Sequence, residues 1–231
     1  MIVLRSILFT AAFWIWTVPL NVLGLPLLAA PRSWLLCLAR LWLGGIVRLA
    51  WHIAGIRYEV RGRENIPETP CIVAAKHQSA WDTFFLPLVL DFPAFVLKKE
   101  LTRIPVFGWY LRRYRAVPVD RGAGAKALRR MLRTAQSEVA RGRSIVIFPE
   151  GTRVPPGETR SYHPGVAALY RDLALPVVPV TLNSGRFWGR RAFLKRPGTI
   201  VITFQPPIAP GLPRREIMDR IASALDDPTV S

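Results

Sequence analysis

Apolar positions come in two textures along this chain. Up to Ile56 they are nearly continuous. Beyond it they break into short runs separated by polar, glycine and proline positions. The stretch Ser6–Ala30 carries no charged side chain, and about 20 apolar residues suffice for a helix to cross a bilayer. Pro19, Asn21, Gly24 and Pro26 interrupt it. A proline inside a helix removes a hydrogen bond and crowds the preceding turn, so the pattern predicts a broken helix or a shallow hairpin as readily as a clean span. From Trp34 to Ile56 the period is helical. At about 100° per residue, Arg40, Arg48 and His52 share roughly a third of the circumference, with Trp34 and Trp51 on the same side. Leu35, Leu38, Trp42, Ile46, Leu49 and Ile53 fall opposite. This suits a helix lying in a membrane interface, tryptophans at headgroup level and arginines snorkelling. A buried core helix has the same period. A cleaved signal peptide fits less well, because the apolar run is too long.

After Arg57, short β-branched runs alternate with helical patterns. Strands are predicted near Tyr58–Val60, Cys71–Ala75, Ala94–Leu97, Ala116–Val119, Ser144–Phe148, Val177–Leu182 and Thr199–Phe204. Helices are predicted at Ser79–Leu90, Ala123–Arg141, Val166–Asp172 and Arg214–Leu225. Alternation of this kind predicts an α/β fold with a mostly parallel sheet flanked by helices. The chain therefore divides into an N-terminal membrane-anchoring helical segment, residues 1–56, and an α/β domain, residues 57–231.

Charge sharpens this division. Lys and Arg number 32 against 15 Asp and Glu, a net charge of +17. Residues 1–56 hold no acid and only Arg5, Arg32, Arg40 and Arg48, which leaves +13 on the second part. Such a balance favours an anionic partner: nucleic acid, anionic lipid or a phosphorylated small molecule. The Arg- and Gly-rich segment Gly185–Gly198 is expected to face an anionic surface. Two cysteines and three histidines supply neither a disulfide framework nor a Cys- or His-rich metal cluster.

Two polar clusters can carry chemistry. In Lys76-His77-Gln78-Ser79-Ala80-Trp81-Asp82, a strand pattern ends and a helix pattern begins. On one continuous helix His77 and Asp82 would diverge by about 140°. They meet only if His77 sits in the turn and Asp82 in the first helical turn, with Ser79 as N-cap. Asp82 can then accept the Nδ1 proton of His77 and leave Nε2 as a base. The alternative is a capping box beside an incidental histidine. N–H groups at the start of that helix are candidate oxyanion donors. The second cluster, Phe148-Pro149-Glu150-Gly151-Thr152-Arg153, follows a strand, and ligands of open α/β sheets bind at carboxyl ends of strands. Arg153 can grip a phosphate through its planar fork, and Glu150 can hold a neighbouring arginine or backbone. A surface turn with a minor ion pair is the bland alternative. Lys98 follows a strand and can add charge to such a site. Ile104, Pro105, Phe107 and Trp109 read as packing, and most of Arg112, Arg113, Arg115, Arg129, Arg130 and Arg133 as a solvated basic face.

In order, the chain holds His-x4-Asp (His77, Asp82), Lys-x2-Leu-x2-Ile-Pro-x-Phe-Gly from Lys98, Val-Asp-Arg (Val119–Arg121), Phe-Pro-Glu-Gly-Thr-Arg (Phe148–Arg153) and Val-Pro-Val (Val178–Val180). This ordered set resembles the glycerolipid acyltransferase family, in particular its bacterial 1-acylglycerol-3-phosphate acyltransferases. The resemblance implies a membrane-bound enzyme at the cytoplasmic side of a bacterial inner membrane. It implies transfer of a fatty acyl chain from acyl carrier protein or coenzyme A to the sn-2 hydroxyl of lysophosphatidic acid, without metal or other cofactor. It makes His77 the general base and Asp82 its orienting partner. Glu150, Gly151, Thr152 and Arg153 become substrate-binding, with Lys98 and Arg121 as further basic positions. Lys76 stands where the family commonly has Asn. Val154-Pro155-Pro156-Gly157, and later His163-Pro164-Gly165, stand where a basic pair is frequent.

Other classes fit less. No nucleic-acid-binding motif accompanies the charge. No Gly-x-Ser-x-Gly elbow supports a serine hydrolase. A non-catalytic membrane-binding protein would not need both His77 and Asp82. A related enzyme with another lyso-lipid acceptor, such as lyso-ornithine lipid, would keep every motif.

Overall fold

The computed structural model describes residues 1–120 and 124–226. Seven strands form one sheet: β1 (Ile56–Arg61), β2 (Ile72–Ala75), β3 (Ala94–Lys98), β4 (Val117–Val119), β5 (Ile145–Ile147), β6 (Val177–Leu182) and β7 (Gly198–Phe204). Their spatial order is β1-β7-β6-β2-β5-β3-β4. Every neighbouring pair is parallel except β6 and β7, which meet antiparallel. The seven predicted strands are all present. Central strand β2 is buried along its whole length, as a strand covered on both faces must be.

Alternation along β2 feeds two cores. Val73 and Ala75 join one with Ile46, Ala50, Phe85, Val180 and Ile202. Ile72 and Ala74 join the other with Met131, Val166, Leu169, Ile217 and Ile221. The first core is covered by helices α1 (Ile2–Leu23), α2 (Arg32–Leu49) and α3 (Ala80–Val89). The second is covered by α5 (Gly124–Val139), α6 (Gly165–Leu173) and α7 (Arg214–Asp226). Helix α4 (Phe107–Tyr114) was not among the predicted helices. Its apolar residues read only as packing because the helix has only 8 residues and starts two residues after Pro105.

The N-terminal segment forms a hairpin, one of the outcomes its pattern allowed, but differs from the sequence reading in two details. Helix α1 runs on through Pro19, and the break comes afterwards, in a 3-10 turn at Leu25–Leu28. The result is a helical hairpin. Asn21 Nδ2 donates back to the Thr17 carbonyl at 2.8 Å. Secondly, the apolar side of α2 does not turn towards lipid. Leu35 and Ile46 are buried, and Trp42, Leu49 and Ile53 pack against the core. Helices α1 and α3 cover that side, which removes its apolar area from any solvent. Trp34, Arg40, Arg48, Trp51 and His52 are exposed on the other side, as their period predicts. The large exposed apolar surface belongs to α1 instead: Leu4, Ile7, Leu8, Trp14, Ile15, Val18 and Leu23 are each at least about half exposed. Both helices are long and apolar enough to cross a membrane.

Candidate active site

The polypeptide leaves β2 at Ala75, turns at Lys76–Gln78 and enters α3. Ser79 caps the helix, its Oγ accepting from the Trp81 N–H at 3.1 Å. Asp82 returns the reciprocal bond, Oδ2 accepting from the Ser79 N–H at 2.9 Å. That capping box aims the carboxylate back into the turn. There Oδ2 also accepts from the Gln78 N–H at 2.9 Å and lies 2.9 Å from His77 Nδ1. The arrangement is the one that the spacing of the five residues required.

Further contacts fix it. Ser184 Oγ, at the end of β6, donates to Asp82 Oδ1 at 2.5 Å. Asp82 and Ser184 are fully buried. Gln78 Oε1 accepts from the Gly185 N–H at 3.1 Å. The His77 ring stacks on Phe148 with centroids 4.0 Å apart and planes at 18°. With Nδ1 committed to a carboxylate, Nε2 is the ring nitrogen left for a substrate. Of the N–H groups at the start of α3, named as candidate oxyanion donors, that of Ser79 is instead spent on Asp82 and that of Trp81 on Ser79 Oγ.

The Glu-Gly-Thr-Arg block divides its work. Glu150 is 3% exposed and makes no ion pair with Arg153 among the described residues. Its Oε2 accepts from the His77 backbone N–H at 2.7 Å. Burial pushes its carboxyl up to about 7, although the His77 N–H pulls the other way. Glu150 thus buttresses the turn that carries His77 and does not line the cavity. Gly151 occupies the left-handed region at φ 67°, where a side chain would be strained. Past it, Gly151, Thr152 and Arg153 do line the cavity. Arg153 is half-buried, and desolvation lowers its pKa, with Asp82 opposing and Arg190 adding to the drop.

The cavity measures about 1540 Å³. Phe13, Trp42, Phe84, Tyr110 and Leu111 give it long apolar walls, and His77, Arg153, Arg190 and Arg191 also line it. Lys98 lines it too and is exposed at the end of β3. Among the described residues no polar contact joins Lys98 to His77 or Arg153. Arg121 lies outside the described residues. Val178 and Val180 are fully buried, and the Val180 carbonyl accepts from the Lys76 N–H at 2.9 Å. That block carries the end of β2 rather than touching the cavity. The sequence reading passed over Ser184 and gave Gln78 and Arg190 no role of their own in the site. Only contacts across the fold identify them.

The Acyltransferase family model matches residues 57–183. The chain is 40% identical over 175 residues to the 1-acyl-sn-glycerol-3-phosphate acyltransferase of Pseudomonas aeruginosa, covering 76% of this chain and 65% of that protein. It is 32% identical over 126 residues to a chloroplastic protein of the same activity name from Brassica napus, covering 54% of this chain and 36% of the other. The match thus spans less than two thirds of either relative's length. The crystal structure of the 1-acyl-sn-glycerophosphate acyltransferase PlsC from Thermotoga maritima has the same fold, with a TM-score of 0.72 at 23% identity over 97% of this chain and 96% of that one. With the family model spanning more than half of its length, and with His77, Lys98 and Gly151–Arg153 of the ordered motifs lining one cavity, this chain belongs to the acyltransferase family.

Proposed function

We propose that this protein transfers a fatty acyl chain from a thioester to the sn-2 hydroxyl of lysophosphatidic acid, forming phosphatidic acid. The observation that carries the reading is an imidazole oriented by a buried carboxylate, in a cavity whose walls are long and apolar but which also holds arginine. An apolar-walled cavity of that volume suits acyl chains; the arginine suits a phosphate monoester. The names of the similar proteins point to the same acceptor.

An alcohol is a weak nucleophile at neutral pH. Nε2 of His77 takes its proton as the oxygen attacks the thioester carbonyl, and Asp82 stabilises the imidazolium that forms. The tetrahedral intermediate expels the thiolate, and the imidazolium supplies a proton to the leaving group. A thioester is already activated, so the step calls for no metal or acyl-enzyme. The donor is acyl carrier protein or coenzyme A, and the site of action is the cytoplasmic face of a bacterial inner membrane, where the exposed face of α1 enters lipid.

The test is turnover with lysophosphatidic acid and both donors. His77→Ala is expected to lose at least ~10²-fold in kcat, the size of a general-base contribution, with its melting temperature nearly unchanged. Asp82→Asn favours the wrong tautomer and is expected to be severely impaired. Near-normal turnover of folded His77→Ala would sink the mechanism.

A further inference from the structure

The segment after β6 spans the two halves of the site. Its root is bonded to the catalytic turn, by Ser184 Oγ to Asp82 and by the Gly185 N–H to Gln78. Six residues after Ser184, Arg190 Nη1 donates to the Arg153 carbonyl at 3.4 Å. Between these points Trp188 is buried and meets Phe9 edge-on, with ring centroids 5.0 Å apart. Further on, Lys195 Nζ donates to the Ala192 and Phe193 carbonyls at 2.7 and 2.9 Å, and its backbone N–H donates to Ser6 Oγ. The segment is therefore held at both ends and in the middle, and Arg190 is carried on a fixed support.

Arg153 and Arg190 both line the cavity that holds His77. Neither guanidinium pairs with a carboxylate among the described residues. Burial lowers the pKa of Arg153 most, and the nearby positive charge of Arg190 adds to the drop. Two like charges kept side by side are costly unless an anion lies between them. Two planar forks can share the oxygens of one phosphate monoester. We infer that Arg190 is the second arm of the acceptor's phosphate site, closing on the phosphate opposite Arg153. This rests on the acceptor reading above and adds to it a residue outside every motif block. It also makes the Gly185–Gly198 segment a part of the site rather than only a basic surface.

The experiment compares two acceptors of equal, short chain length, each below its micellar concentration: a lysophosphatidic acid and the monoacylglycerol that lacks the phosphate. Monomeric acceptors keep any general attraction to anionic bilayers out of the measurement. In Arg190→Gln, the loss of a charge-assisted hydrogen bond should cost about tenfold in kcat/KM with the phosphate acceptor, carried mainly by KM. The monoacylglycerol should change little. Arg190→Lys should recover only part of the loss, since an ammonium lacks the fork. Arg196→Gln, an exposed change on the same segment, should behave as wild type. Glycerol 3-phosphate should inhibit the wild type competitively and Arg190→Gln more weakly. If the wild type does not favour the phosphate acceptor, the acceptor reading itself is wrong. If it does, but Arg190→Gln lowers both acceptors equally or neither, only the role given to Arg190 falls.

Discussion

Asp82 offers its two oxygens to four donors: the His77 ring, the Gln78 and Ser79 N–H groups and the Ser184 hydroxyl. A carboxylate has about four such sites, so the plane of the group is fixed from all sides. Three of these donors lie within five residues, which is why the sequence could be read that far. A strand ending before His-x4-Asp, with Ser79 placed to cap, leaves this geometry as one of two readings, beside a capping box with an incidental histidine. Ser184 is 102 residues away, and no local pattern marks it. Ser184→Ala would leave Asp82 Oδ1 buried without its donor, at a cost of about 1–3 kcal/mol. The expected result is a fall in kcat with KM for the thioester unchanged. A fall in melting temperature with kcat intact would make Ser184 purely structural. Glu150 takes the backbone-holding role, one of the two the sequence offered, and not the arginine-holding one. The motif presents Glu150 and Arg153 as one block, but the left-handed Gly151 sends only the later residues to the cavity. The consequence is a pH dependence. Its carboxyl, raised by burial from 4.5 to about 7, binds its proton more tightly when folded than when unfolded. The stability it contributes is complete below about pH 4.5 and fades as pH rises through about 7. Glu150→Gln keeps an acceptor for the His77 N–H but cannot ionise. Its melting temperature relative to wild type should rise between pH 4.5 and pH 8. Parallel profiles would mean that the buried carboxyl does not govern this part of the curve.

Strands and long helices were legible because each is a run of one period. The short β-branched runs are bounded by glycine, proline or charge, and α5 keeps one apolar face over four turns. Helix α4 was not legible. The packing that makes it a helix is tertiary: Gly108 lies so close to the Thr102 backbone that an added Cβ would stand 2.3 Å from its carbonyl oxygen. Pro19 also misled, because the hairpin packing of α1 holds the helix through the proline. That packing is specific. Trp16 Nε1 donates to the Trp42 carbonyl, and Trp42 Nε1 donates to Thr17 Oγ1, each at 3.1 Å. The two adjacent glycines of α2 test it as a pair. A Cβ on Gly45 would meet Trp16 Nε1 at 2.2 Å, whereas one on Gly44 meets nothing within 4 Å. Gly44→Ala should stabilise by up to about 1 kcal/mol, since alanine loses less backbone entropy in a helix. Gly45→Ala should destabilise by about 1–3 kcal/mol, the usual cost of overpacking. Melting temperatures in detergent or nanodiscs would separate the two. Equal shifts would mean that α1 and α2 do not meet as described.

At the scale of the whole molecule, the N-terminal hairpin does two jobs that the sequence pattern could not separate. Its inner side completes the core. Phe9, Ile46, Val47, Ala50 and Ala54 pack in one cluster with strands β1, β2, β6 and β7. Removing residues 1–56 would expose that cluster, so the truncated protein is expected to aggregate, and its inactivity would say nothing about membranes. The outer side can be tested without touching the core. Leu4, Ile7, Leu8, Ile15 and Leu23 are 61, 49, 51, 74 and 77% exposed. Withdrawing a side chain of this kind from water gains about 2 kcal/mol when it is complete. Five together would dominate attachment to a bilayer, with the net charge of +17 adding a salt-sensitive attraction to anionic headgroups. Glutamine at these five positions keeps a good helix former while removing the apolar surface. The fivefold variant is expected to keep its circular dichroism and its turnover of a monomeric short-chain acceptor. It should leave the membrane pellet for the supernatant at moderate salt and lose activity on acceptor held in vesicles. A variant that stays folded yet remains in the pellet would show that α1 is not what holds the protein to the membrane.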